Sequence, residues 1–325
     1  MAVVVVVAFA VVLPRLADYG DVWGDLRELE PSSLLLLAGI TVANLMTFAP
    51  PWMAALPGLG ARRAFVLTQA STASTYVTPG GAAVGIALSF GMLRAWGFGA
   101  GAVALAVALT GVWNQLTLLG FPAVALALLT VTGGHAPVLQ TVALVGLAFF
   151  AAALGLFVLM LRSNAAAHGI GELAARLFAA ALRRPTRWSG RTLAEFRLRA
   201  IGLVRRRWHV LTVGTLAGQL TVFAVLVACL RVLDVPGGEV SVAEAFAAWS
   251  LVRLLGSLPL TPGGIGIVEV GLTTLLVGFG GSRSSVVAAV LAYRFLTIVP
   301  TLVLGLFAAA TWRLHRPERS GSSQK

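Results

Sequence analysis

The sequence predicts an all-α polytopic membrane protein with about six full spans plus two re-entrant Pro-Gly-Gly hairpins in an inverted repeat. Three observations predict it. Of 325 residues, 58% are hydrophobic and only 11% charged, whereas soluble chains carry roughly 25% charged residues. Long apolar runs recur along the whole chain, and about 20 such residues are enough to span a bilayer. The same four residues, Thr-Pro-Gly-Gly, interrupt two of those runs, at 78–81 and 261–264. This composition excludes a soluble enzyme, a disulfide scaffold and a disordered tail. One cysteine, Cys229, lies inside an apolar run. It excludes an intrachain disulfide and a cysteine metal cluster.

The apolar runs lie at about 2–13, 32–56, 64–93, 98–131, 136–161, 208–230, 242–281 and 285–312. The first is short, and it lacks the basic flank and small-residue cleavage site of a signal peptide. It reads as a short or truncated first span. The runs 32–56, 136–161, 208–230 and 285–312 are each long enough to cross. The run 98–131 reads as one tilted helix that Gly120 and Pro122 can kink.

The runs 64–93 and 242–281 are different. Proline removes a backbone donor and glycine permits positive φ, so a helix is expected to stop and reverse at Thr78-Pro79-Gly80-Gly81 and at Thr261-Pro262-Gly263-Gly264. The arms about 64–77 and 82–95 would each rise only about 21 Å, too short to cross. The arms of the second hairpin, about 242–258 and 267–280, include a short return as well. Gly85 and Gly266 extend the flexible tips. Two short ordinary spans joined by a tight turn are the alternative. Either arrangement needs protein or water around the exposed backbone of the tip, because lipid cannot satisfy it.

Arginine placement orients the chain, since short cytoplasmic loops collect basic residues. The segment 162–207 holds eleven Arg and two Glu and is expected inside. Counting outward, 55–63, 94–97 and the tail 313–325 fall inside too, and the acidic segment 14–31 falls outside. Both termini are then cytoplasmic and the setting is the cell membrane. The first hairpin enters from the cytoplasm and the second from outside, 183 positions later (78 to 261). Inverted repeats with broken helices near the midplane are a common plan for transporters. The chain divides into a first membrane half (1–161), a basic connector (162–207), a second half (208–312) and a tail (313–325).

Four charged residues fall within the apolar runs of the second half: Glu244, Arg253, Glu269 and Arg294. Glu244, near a hairpin end, can reach the interface. Each of the other three costs roughly 2.5–3.5 kcal/mol at a span centre unless paired or hydrated. Arg253 and Glu269 flank the second tip, so a cluster of Arg253, Glu269 and Arg294 with Glu269 as shared counter-ion is the economical arrangement. Such a cluster either staples the last span to the hairpin or leaves a positive excess for an anionic lipid headgroup. The first half has Ile86 where the 183-residue offset would place Glu269. Its polarity comes from Asn44, Gln69, Ser71, Thr72, Ser74 and Thr75.

The connector holds two amphipathic stretches, 171–184 and 191–207, of the kind that lie in an anionic inner-leaflet interface. Membrane lipids are therefore the expected partners. No basic folded module for nucleic acid is legible. The four histidines, His135, His168, His209 and His315, lack ligand spacing, so neither a metal nor a cofactor is expected. No nucleophile-and-base pattern or phosphate-binding fingerprint appears, and no catalytic residue is assigned.

The segment 258–269, Leu-Pro-Leu-Thr-Pro-Gly-Gly-Ile-Gly-Ile-Val-Glu, with Arg253 before it and Tyr293-Arg294 in the last span, resembles the flippase-like integral membrane family. That family includes the transmembrane region of lysylphosphatidylglycerol synthases and proteins labelled dolichol-phosphate-sugar synthetase-like. The segment 78–85, with Met92-Leu93-Arg94 and Gly97, resembles its earlier motif, and the likeness covers about 30–312. The resemblance implies lipid translocation or lipid-related transport. Full-length synthases carry a soluble aminoacyl-transferring domain. The sequence ends at Lys325 with a short tail, so aminoacyl transfer is not expected. Two other readings stay open: a membrane-embedded lipid-modifying enzyme of the polyprenyl-phosphate-sugar kind, and a non-transporting partner of a separate soluble enzyme.

Overall fold

The computed structural model describes residues 29–78, 80–131, 137–165, 169, 190–258 and 261–312. The run 2–13, Pro79, the stretch 171–184 and the tail 313–325 lie outside the described residues. Within them the chain is helical, with no strand. The helices are α1 (Pro31–Thr47), α2 (Ala49–Ala55), α3 (Ala61–Val77), α4 (Gly81–Ala95), α5 (Ala100–Val131) and α6 (Pro137–Arg162). They continue with α7 (Gly190–Val232), α8 (Val242–Gly256), α9 (Ile267–Gly278) and α10 (Arg283–Thr311), and a 3₁₀ turn, Pro262–Gly264, joins α8 to α9.

Five stretches are long and apolar enough to cross a membrane: Pro31–Ala55, Ala100–Leu129, Leu144–Arg162, Arg197–Val232 and Arg283–Thr311. The protein is a multi-pass membrane protein. Its expected further span, 2–13, is among the residues not described. The first described span is broken between α1 and α2, because Pro50 and Pro51 supply no N–H to the preceding turn. Pro122 sits inside α5 without ending it.

One boundary differs from expectation. The basic stretch 191–207 is not a separate helix. It runs straight into the following span as α7, 43 residues long. No proline interrupts 190–232, and isolated glycines are tolerated within a helix. At about 1.5 Å per residue α7 is about 65 Å long, so part of it extends past the hydrocarbon. Arg205, Arg206 and Arg207 are exposed there.

The two interrupted runs form pairs of short helices, as the Pro-Gly-Gly breaks require. α3 and α4 have 17 and 15 residues, and α8 and α9 have 15 and 12. None of them reaches about 30 Å. α3 packs on α4 and α8 on α9. Each incoming arm also lies along the long helix of the other half, α3 on α10 and α8 on α5. α7 packs against α1, α2, α5 and α10 and ties the halves together.

The two hairpin bases lie at opposite ends of α10. Trp96, just after α4, donates from Nε1 to the carbonyl of Trp312 at 3.1 Å, at the C-terminal end of α10. At the other end, Ser282 N donates to Glu239 Oε2 at 3.3 Å, in the loop that precedes α8. α10 spans about 43 Å between these points.

Small residues and aromatics divide the packing work. Phe121, Phe223, Phe246 and Trp249 form one aromatic nest, with ring centroids 5.1–5.8 Å apart, that locks α5, α7 and α8 together. Gly305 lets α10 approach α3, where a Cβ would collide with Ala73 and lie 2.9 Å from the Gln69 carbonyl. Helix pairs in membranes rely on such small residues because lipid gives them no hydrophobic drive to associate. Gly305→Val is therefore expected to lower stability by about 1–3 kcal/mol, the usual penalty for overpacking. Gly39→Ala, at a site with open space around it, should leave the thermal unfolding midpoint in detergent nearly unchanged.

Candidate functional site

The two breaks share a backbone conformation at equivalent positions. Thr78 and Thr261 are extended, with φ/ψ of −125/138° and −134/150°. A residue before proline is pushed into that region. Gly80 and Gly263, 183 positions apart, both adopt left-handed values, 67/27° and 59/17°. A side chain on Gly263 would also strike the Tyr76 ring at the end of α3. The two tips therefore meet each other.

The tips are held differently. At the first, Thr78 Oγ1 donates to the Ser74 carbonyl at 2.7 Å. Gly85 keeps α4 close to α3, where a Cβ would lie 3.0 Å from the Ser71 carbonyl. At the second, the chain takes an extra turn through Ile265 and Gly266 before α9 begins. Glu269, in the first turn of α9, accepts from Gly266 N at 2.7 Å. Its other oxygen accepts from Arg294 Nε at 2.6 Å. Arg294 is 3% exposed and also donates from Nη2 to the Gly263 carbonyl at 3.2 Å. One arginine thus anchors α10, the α9 terminus and the left-handed glycine.

A cavity of about 390 Å³ lies where the tips meet. Thr75, Tyr76, Gly80 and Gly81 line it from the first hairpin, and Arg253, Thr261, Pro262 and Gly263 from the second. α5 adds Asn114 and Gln115, α7 adds Gln219, and α10 adds Tyr293, Thr297 and Thr301. Arg253, on α8, is half-buried. Its Nε donates to Gln219 Oε1 at a long 3.4 Å, and Gln219 Nε2 donates to Asn114 Oδ1 at 2.7 Å. Among the described residues no carboxylate pairs with Arg253 and its two terminal nitrogens have no hydrogen-bond acceptor.

The structure therefore splits the expected charge cluster. Glu269 and Arg294 pair with each other outside the cavity lining, and Arg253 stands on the cavity wall without sharing Glu269. Glu244 is used locally, capping α8 through Ser241 N at 2.8 Å and the Ser241 hydroxyl. Asn114, Gln115, Gln219, Thr297 and Thr301 are invisible to a count of charges inside apolar runs. Amides in such runs also cost several kcal/mol when buried unpaired, and counting them reveals the wall. Among the described residues no group of His, Cys, Asp or Glu could hold a metal ion.

The cavity of this multi-pass membrane protein is lined by amides and hydroxyls and, among the described residues, carries one charged side chain, Arg253. Residues 1–305 match the family described as the lysylphosphatidylglycerol synthase TM region, and the chain belongs to that family. No curated protein matches the chain.

Breaking a buried ion pair on one side leaves an uncompensated charge, costing about 3–5 kcal/mol, whereas an apolar pair is often neutral. Glu269→Gln is expected to lower the thermal midpoint markedly, and Glu269→Gln/Arg294→Gln, which removes the stranded charge while keeping polar side chains beside Gly266 N and the Gly263 carbonyl, to recover part of the loss. Equal losses in the single and double variants would contradict the pairing.

Proposed function

We propose that this protein carries a lipid headgroup across the cell membrane through the cavity at the hairpin tips. The observation that carries the reading is Arg253, a cation without a carboxylate partner among the described residues, on a polar wall between apolar helices. Keeping it there costs roughly 2.5–3.5 kcal/mol on insertion scales. A ligand anion recovers that cost and packing alone does not. The acyl chains stay in lipid while the headgroup passes.

In this reading the hairpins are re-entrant and form an inverted repeat. Their helices are too short to cross, and their bases lie at opposite ends of α10. Gly80 and Gly263 share a conformation, and each incoming arm packs on the other half's long helix. Opposed hairpins let one site face either side through small hinge movements at the glycine tips. The exposed arginines of α7 set the cytoplasmic face and meet the anionic inner leaflet, with both termini cytoplasmic.

The three charged residues take separate roles. Arg253 contacts the headgroup, and Glu269 with Arg294 positions the tip. The same geometry favours transport over lipid modification. Glu269, the carboxylate that acid–base chemistry in this site would need, has both oxygens engaged by Gly266 and Arg294.

Purified protein in liposomes is expected to speed leaflet exchange of a labelled anionic phospholipid. Arg253→Gln should slow it roughly 10-fold or more, equivalent to about 1.4 kcal/mol of lost interaction, with an unchanged thermal midpoint. No exchange for any lipid, or full exchange in Arg253→Gln, would overturn the reading.

A further inference from the structure

Each hairpin closes on itself before it meets the other. In the first, a Cβ on Gly81 would collide with the backbone of Thr75. In the second, a Cβ on Gly264 would lie 3.2 Å from Gly256 Cα and 3.0 Å from Val268 Cγ2. The contact between the hairpins is of another kind. The Tyr76 ring lies on Gly263, where a Cβ would come within 3.2 Å of its Cγ and closer to its edge carbons. Tyr76 is 8% exposed. With Ala73, Ile298 and Leu302 it forms a small apolar core, and Val77 and Ile265 pack against that core. Among the described residues no hydrogen bond or ion pair joins the two hairpins.

The two sides of this contact are not equally fixed. α3 is held to α10 by the close approach at Gly305. The turn 261–266 is attached lightly. Among the described residues one hydrogen bond reaches it from outside its own hairpin, from Arg294 Nη2 to the Gly263 carbonyl at 3.2 Å. Gly263, Gly264 and Gly266 all have positive φ, at 59°, 70° and 85°. A run of such glycines can absorb the backbone rotations of a hinge. Tyr76 and Gly263 line the cavity, and the rest of the apolar cluster lies behind them, outside its lining. The ring therefore marks where the cavity ends. A headgroup leaving on that side must part the contact, and parting it breaks no hydrogen bond between the hairpins. While closed, an apolar constriction holds back water and polar solutes. We infer that the Tyr76 ring on Gly263 is the gate of the cavity, an apolar closure that opens when the 263–266 turn moves away from α3. The gate has this role under the translocation reading, on which the inference rests.

A reversible lock tests it in the full chain. Cysteines at Tyr76 and Gly263 fall near the roughly 3.5–4.5 Å Cβ spacing of a disulfide. In liposomes, Tyr76→Cys/Gly263→Cys in a Cys229→Ala background should exchange a labelled anionic phospholipid when reduced. Oxidation should slow it roughly 10-fold or more, equivalent to about 1.4 kcal/mol, and a reductant should restore it. A closed disulfide, confirmed by mass, with undiminished exchange overturns the gate and leaves translocation standing. Absence of exchange for any lipid in the unsubstituted protein overturns translocation itself. A second measurement needs neither exchange nor a side chain at Gly263. Val77→Cys in the same background, in detergent, should react with a water-soluble thiol reagent roughly 10-fold faster once Tyr76→Ala removes the ring. Tyr76→Phe, which keeps the ring, should leave the reaction slow. Equal rates with and without the ring overturn the seal.

Discussion

Backbone groups freed by a broken helix have no solvent in a bilayer, so the protein itself must satisfy them. In this chain the heaviest demand falls on the second hairpin. Its left-handed Gly263 leaves a carbonyl, and the start of α9 leaves unpaired amides. Arg294 answers the first and Glu269 the second, and the two answer each other. Their mutual pairing lets both charges sit beside α10 at low exposure. The first hairpin solves the same problem without charge, through the Thr78 hydroxyl and glycines that bring α4 close to α3.

The division of charge follows from that arrangement. Because Arg294 takes Glu269, Arg253 keeps only an amide partner, Gln219, which is itself held by Asn114. Amides from α5 and α7 therefore orient the cation without neutralising it. A carboxylate in their place would neutralise Arg253 with an internal salt bridge. The site is positive because its neighbour is balanced.

Much of this was legible in the sequence, for physical reasons. The helix breaks were visible because proline and glycine act locally, and the short arms followed from spacing alone. The pairing of Glu269 was foreseen, but its exclusive choice of Arg294 was not. Both arginines lie within reach in sequence terms, and only the packing of α9 on α10 decides between them. The continuity of α7 was missed because a change from amphipathic to apolar periodicity resembles a boundary, although no breaker residue stands there. The cavity wall was missed where it rests on neutral side chains such as Gln219 and Asn114. Their convergence from separate helices is a tertiary fact that no single run of residues announces.

In the proposed arrangement two hairpins from opposite membrane faces meet at one polar site. Single cysteines test it most directly in a Cys229→Ala background, at Gly99 beside the first hairpin base and Gly238 beside the second. Both glycines have open space around them and tolerate a side chain. In sealed vesicles of known orientation, an impermeant maleimide should label Gly99→Cys from the cytoplasmic face only and Gly238→Cys from the opposite face only. Labelling of both from the same face would mean that the hairpins do not enter from opposite sides.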